Sequence, residues 1–190
     1  MPNAVKFSDL VALSKDERRA VLSSLFPFGG LMTDDNCIMH DADRNKLIRT
    51  AIKNAETIGL IPAGLRVSVR SPHYGSVKVE VRVTKFLILN PEHVRYGNDN
   101  PSHTYYDMPW EARERLTPAG EALMSALKAI ASQWRYDRSD AMSDHFDTNY
   151  YLDVSFNYEL ERTQRAWILS FPRSVRIRPK VTVGVQSRAA

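Results

Sequence analysis

Asp140, Asp144 and Asp147 stand at i, i+4 and i+7 in the run Asp137-Arg138-Ser139-Asp140-Ala141-Met142-Ser143-Asp144-His145-Phe146-Asp147. If Ser139 caps a short helix, the three carboxylates share one face. Such a face could hold a hard cation such as Mg²⁺, with His145 as a base or a further ligand. A plainer reading has Ser139 and Asp140 capping a turn while the other acids meet solvent or a basic partner surface. An EF-hand is excluded, because its loop glycine and terminal glutamate are missing.

Other chemistry is thinly signalled. The histidines are His40, His73, His93, His103 and His145, and none forms a His-x-x-x-His pair, so a helical zinc site is not expected. Cys37 has His40 three residues on, an arrangement that can lower a thiol pKa, although a small buried cysteine serves equally well as packing. With one cysteine there is no internal disulfide, and the chain reads as an inhabitant of a reducing, cytoplasmic compartment. There is no Gly-x-Ser-x-Gly elbow, no Walker-type phosphate loop and no Gly-x-Gly-x-x-Gly. No catalytic residue, metal or cofactor is therefore assigned, and the expectation is a binding protein rather than an enzyme.

The candidate contact residues lie on an alternating segment. Val67, Val69, Val77, Val79, Val81 and Val83 can share one face of a β-hairpin at 65–85, leaving Arg66, Ser68, Arg70, Lys78, Glu80 and Arg82 on the other. Arg66, Arg70, Lys78 and Arg82 could track a phosphate backbone, with Tyr74 or His73 in the loop stacking on a base. The same pattern also describes the solvated face of a half-covered sheet. Tyr96, Tyr105, Tyr106 and Trp110 add a possible aromatic contact surface. A net charge of +4 permits a nucleic-acid or acidic-protein partner without requiring one. Acids collect at 137–153, and a tail with Arg173, Arg176, Arg178, Lys180 and Arg188 holds none.

These residues need a scaffold, and 190 residues suffice for one domain over 1–172 with a basic arm or edge strand at 173–190. Residues 8–26 read as helical, with Ser14 and Glu17 spaced as a capping box. Asp41 or Asp43 can cap a second helix to about Thr57, with Leu47, Ile48, Ala51, Ile52 and Ala55 on one face. Residues 90–108 read as a long polar loop. Thr117 and Pro118 open a third helix that carries Ala122, Leu123, Ala126, Leu127 and Ile130, with a short helix before it at 110–116. Residues 150–158 alternate as a third strand, and 166–171 is ambiguous. The fold class expected is α+β: an antiparallel sheet built on the valine-rich hairpin and packed by about three helices. The N-terminus lacks a signal-peptide pattern, and no run approaches 18 apolar residues, so no membrane association is expected.

Several stretches carry a family likeness. Arg44 to Lys53, then Arg66-Val67-Ser68-Val69-Arg70-Ser71 and Tyr74-Gly75-Ser76-Val77-Lys78-Val79, resemble the start of a large polyvalent-protein-associated domain of the twenty-ninth type. Tyr136-Asp137-Arg138-Ser139-Asp140, Asp144-His145-Phe146-Asp147 and Tyr150-Tyr151 are similar to a second segment of that family. His145 stands where an aromatic residue is expected. The likeness spans about 42–158. It implies an α+β fold and an origin in phages or conjugative elements, and it supplies no catalytic residue.

The resulting expectation is a phage or plasmid accessory protein acting in the host cytoplasm. It would bind a host nucleoprotein or defence protein complex stoichiometrically, as an anti-CRISPR or anti-restriction inhibitor does. Contacts are assigned to Arg66, Arg70, Tyr74, Lys78, Arg82, Tyr105, Tyr106, Asp140, Asp144, His145 and Asp147. One alternative is a DNA- or RNA-binding module using the basic hairpin. Another is a metal-dependent enzyme using Asp140, Asp144 and Asp147. Oligomeric state is not legible at this level.

Overall fold

A computed structural model describes residues 5–32, 39–137, 148–175 and 177. The acidic run with Asp140, Asp144, His145 and Asp147 lies outside them, as do Cys37 and most of the basic tail.

The N-terminal helical stretch is two helices, α1 (Phe7–Ala12) and α2 (Lys15–Leu25). The capping box causes the split. Ser14 Oγ accepts from the Glu17 N–H at 3.4 Å, and the Glu17 carboxylate accepts from the Ser14 N–H at 3.0 Å. Arg18 then reaches back, its Nε donating to the Leu10 carbonyl at 2.8 Å and its other arm to the Leu13 carbonyl at 3.0 Å. Carbonyls at the end of α1 are thereby satisfied by a buried guanidinium.

Helix α3 (Asp41–Thr57) begins without the carboxylate cap expected of Asp41 or Asp43; His40 is the flanking residue and its side chain makes no cap bond. Asp41 instead pairs with Arg44 one turn on. Ile48, Ile52 and Ala55 are buried, whereas Leu47 is on the exposed side of the stripe. Gly59 follows with φ of 78°, the left-handed conformation that ends helices.

Strands β1 (Arg66–Arg70) and β2 (Ser76–Val83) form the expected antiparallel hairpin. The third strand, β3 (Tyr151–Phe156), joins β2 in parallel, so the sheet is mixed, ordered β1-β2-β3. The reason is connectivity. A long excursion of helices separates β2 from β3, and such crossovers return the chain parallel. The ladder shifts between Arg66 and Val67, which pair with Val83 and Val81. Arg82 is the extra residue, and Val83 leaves the buried face to become 40% exposed.

The excursion contains more helix than the polar composition suggests. Helix α4 (Pro91–Asp99) occupies half of the stretch read as loop. Asn90 caps it by accepting from the Glu92 N–H at 3.1 Å, and Pro91 fills the first helical position. A short α5 (Trp110–Arg113) leads into α6 (Pro118–Ala131), where Thr117 Oγ1 accepts from the Gly120 N–H at 3.1 Å. Helix α7 (Tyr158–Leu169) follows β3 and absorbs part of the ambiguous 166–171 segment. Among the described residues there are thus seven α-helical segments, not about three.

Val69, Val77, Val79 and Val81 share one core with Ile48 and Ile52 of α3 and with Leu123, Leu127 and Ile130 of α6. Helix α3 lies against β1 and α6 against β3, so the helices cover the valine face. Burying one such aliphatic side chain is worth about 1.5–3 kcal/mol. Tyr150 is fully buried between these layers, its hydroxyl donating to the Ala131 carbonyl and its ring 4.5 Å below the Arg44 guanidinium. Burial pushes the Tyr150 phenol well above its ordinary range, against the opposing charges of Arg44 and Arg135.

Candidate functional site

Strand pleating decides which residues face away from the helices. With the valines turned in, the outer face shows Arg66, Ser68 and Arg70 on β1, then Ser76, Lys78, Glu80 and Arg82 on β2. The parallel register sets Tyr151 beside Ser76, Asp153 beside Lys78 and Ser155 beside Glu80. Among the described residues no helix covers this face: the Arg70 and Arg82 side chains are 51% and 50% exposed. The floor is serine and the projections are long cations and a tyrosine.

Glu80 is the centre of the charge arrangement, and at 6% exposure it is buried beneath its neighbours. Arg82 Nε donates to Glu80 Oε2 at 3.1 Å. Arg70 and Lys78 approach Oε1 at 3.6 and 3.7 Å. Lys78 also lies 3.6 Å from Asp153. Burial pushes the Glu80 carboxyl up, but hydrogen bonds from Arg82 and Asn157 and the charges of Arg70 and Lys78 outweigh it. The group settles below the ordinary carboxylate range. A charged Glu80 gives three cations a shared anchor, fixing where their remaining donors point. The lone acid in a basic segment thus organises the basic face.

One end of the face is aromatic. Tyr74 is fully exposed on the hairpin loop, and Tyr151 is 61% exposed at the start of β3. The Tyr151 N–H donates to the Gly75 carbonyl at 2.8 Å, which ties β3 to the loop carrying Tyr74. The loop is braced by Ser76, whose hydroxyl donates to the His73 carbonyl at 2.7 Å and accepts from the His73 N–H at 3.0 Å. Gly75 closes the turn with φ of 67°. Arg70 and Lys78 are opposite each other in the ladder beside this end.

The structure therefore sets Arg66, Arg70, Lys78 and Arg82 on one face, with Tyr74 exposed on the loop at its end. Tyr105 and Tyr106 do not join it. They sit on a 3-10 turn held to α4, where the Tyr96 hydroxyl donates to the Asp107 carbonyl at 2.8 Å. There the two rings meet edge to face at 5.8 Å, Arg113 lies over Tyr105, and Trp110 is 75% exposed. Asp140, Asp144, His145 and Asp147 lie outside the described residues and are placed on neither surface. Tyr151, Asp153 and Ser155 join the face without being legible as site residues in the sequence. Their signal was the odd-numbered parity of the third strand, which becomes useful once its parallel register is known.

Among the described residues, no group of three or more His, Cys, Asp or Glu side chains is placed to hold a metal. No helix among them is long and apolar enough to cross a membrane. The chain matches no protein-family model, no curated protein and no solved structure.

Proposed function

We propose that this protein acts by stoichiometric binding, and that the open polar face of the sheet takes a single-stranded nucleic acid. The observation that carries the reading is the coincidence of four cations and the exposed Tyr151 on one uncovered three-stranded face, with a second exposed tyrosine, Tyr74, on the loop at its end. Arg66, Arg70, Lys78 and Arg82 supply donors to phosphate oxygens, and Tyr74 and Tyr151 offer faces on which bases stack. An open sheet with an aromatic end suits splayed bases better than a duplex, whose bases are already stacked. The strand is free or is part of a host nucleoprotein defence complex. That setting, a phage or plasmid counter-defence protein, rests on the likeness to polyvalent-protein-associated domains.

The test is fluorescence anisotropy of labelled single-stranded DNA and RNA across a salt series. Lys78 is already shared between two carboxylates, so about three cations remain to displace counterions. The expected slope of log K against log salt is then roughly −2. Arg70→Glu and Arg82→Glu should each weaken binding across sequences and flatten the slope. No binding at low salt overturns the reading. Retained binding by both variants moves the site elsewhere.

A further inference from the structure

The two edges of the sheet differ. At β1 the edge is short and its register is broken, and Arg49 of α3 donates to the Val69 carbonyl. These are ordinary ways of blunting an edge. Strand β3, one residue longer, has neither the register break nor, among the described residues, a side-chain donor on its outer edge, and Tyr151–Phe156 contains no proline and no lysine. Tyr151 and Asn157 donate to carbonyls on the β2 side. The odd-numbered residues of β3 thus face β2, and the N–H and C=O groups of Leu152, Val154 and Phe156 point outward. Among the described residues no further strand meets them.

Alongside this edge runs a groove of about 410 Å³ between β3 and α6, lined by Leu116, Met124, Leu152 and Val154, with Glu121 and Lys128 among its polar residues. On α6, Glu121, Met124, Ser125 and Lys128 form one stripe at i, i+3, i+4 and i+7, separate from the buried stripe of Ala122, Leu123, Ala126 and Leu127. Neither Glu121 nor Lys128 takes part in any of the ion pairs among the described residues. They stand two helical turns apart, about 10 Å, with Met124 and Ser125 midway between.

We infer that the β3 edge is a homodimer interface, at which two copies pair antiparallel about Val154 to make one continuous six-stranded sheet. The register follows from the backbone. Outward groups at even positions require Val154 to face its own copy in a hydrogen-bonded pair, with Leu152 facing Phe156 of the second copy. Asp153 then faces Ser155 rather than another Asp153, so no like charges meet across the seam. The dyad is normal to the sheet, which leaves both basic faces on one side and both copies of α6 on the other. Glu121 of each copy is then presented to Lys128 of the other, twice by symmetry. A foreign strand has no reason to carry that reversed charge pair, whereas a second copy carries it by construction. The dimer does not depend on the nucleic-acid reading, although it would double the length of the basic surface.

Light scattering coupled to size exclusion, on the full chain and up to about 0.1 mM, tests it, since a micromolar dimer is then nearly complete. The expected mass is twice the chain's 21.6 kDa. Lys128→Glu places acid against acid and should give monomer. The double variant Glu121→Lys/Lys128→Glu restores complementarity and should recover the dimer. Val154→Pro removes an outward N–H without breaking the β2 ladder, and should also give monomer. A wild-type monomer at all concentrations overturns the inference. So does a dimer indifferent to Lys128→Glu, or a double variant that stays monomeric while its circular dichroism shows it folded.

Discussion

Arg82 Nε donates to Glu80 Oε2 at 3.1 Å, across two residues of the same strand and on the same face. Residues i and i+2 of a strand are neighbours, so the pair is fixed by β2 itself and needs no loop to form. Arg70 joins from β1 and Lys78 from one step back on β2. A net-charge view of this surface and a geometric view then differ in sign. Glu80→Gln makes the chain more basic by one unit, and on charge alone nucleic-acid binding should tighten. If Glu80 orients the guanidinium forks, binding should weaken by a few-fold although the charge has risen. Anisotropy at a single low salt concentration separates the two, and tighter binding by the variant would refute the orienting role.

The same carboxylate links stability to pH. Its folded pKa is depressed, so its stabilising contribution is full above the unfolded value of about 4.3 and is lost as pH falls through the folded value. Glu80→Gln should therefore lower Tm near neutrality. Partly exposed partners limit the loss to about 1–2 kcal/mol, or roughly 2–8 °C. As pH falls through the folded value the carboxyl protonates, both proteins come to carry a neutral side chain at this position, and their Tm values should converge. A gap that stays constant from neutral to acid pH would mean that packing, not charge, is what Glu80 supplies.

Tyr74 and Tyr151 should behave differently from the cations. Base stacking on a tyrosine is worth about 1–3 kcal/mol and displaces no counterion. Tyr74→Ala and Tyr151→Ala are thus expected to weaken single-strand binding by roughly tenfold with the salt slope unchanged. Tyr74 is fully exposed on its loop, so its loss should leave Tm unaltered. Arg70→Glu should do the opposite, flattening the slope. If Tyr74→Ala changes the slope as well, the tyrosine is acting through the loop rather than by stacking.

What the sequence revealed followed short-range physics. Alternation located the hairpin, and the Ser14–Glu17 and Thr117–Pro118 signals located two helix starts, because each is decided within a few residues. Helix α4 was hidden because Gly97, Asn98 and the flanking Asn90 and Asn100 suggest a loop, while its start depends on Asn90 and Pro91 acting together. The parallel placement of β3 was illegible for a different reason: its register joins residues 75 positions apart, such as Ser76 and Tyr151, and depends on packing against α6 rather than on strand composition. The burial of Glu80 had the same origin. Its alternation places it on the polar face, but Arg70 and Asn157, which join Arg82 and Lys78 around it, come from outside its own strand. Tyr151 became a site residue only with that register.

Two helical glycines offer a paired test of packing against propensity. Gly97 in α4 has open space where a Cβ would go, with nothing within 4 Å. Gly120 in α6 does not: an added Cβ would sit 2.7 Å from the Ile88 carbonyl oxygen and 3.3 Å from Leu116 Cβ. Glycine there lets α6 press directly onto the segment after β2, where the Thr117 N–H donates to the Ile88 carbonyl at 2.8 Å. Alanine is favoured over glycine in a helix by about 1 kcal/mol when nothing else changes. Gly97→Ala should accordingly raise Tm by ~2–4 °C. At Gly120 the obstacle is backbone and cannot rotate away, so overpacking of about 1–3 kcal/mol exceeds the propensity gain. Gly120→Ala should lower Tm, opposite in sign to the same substitution 23 positions earlier. A rise at both positions would show that α6 does not pack on the Ile88 carbonyl as described.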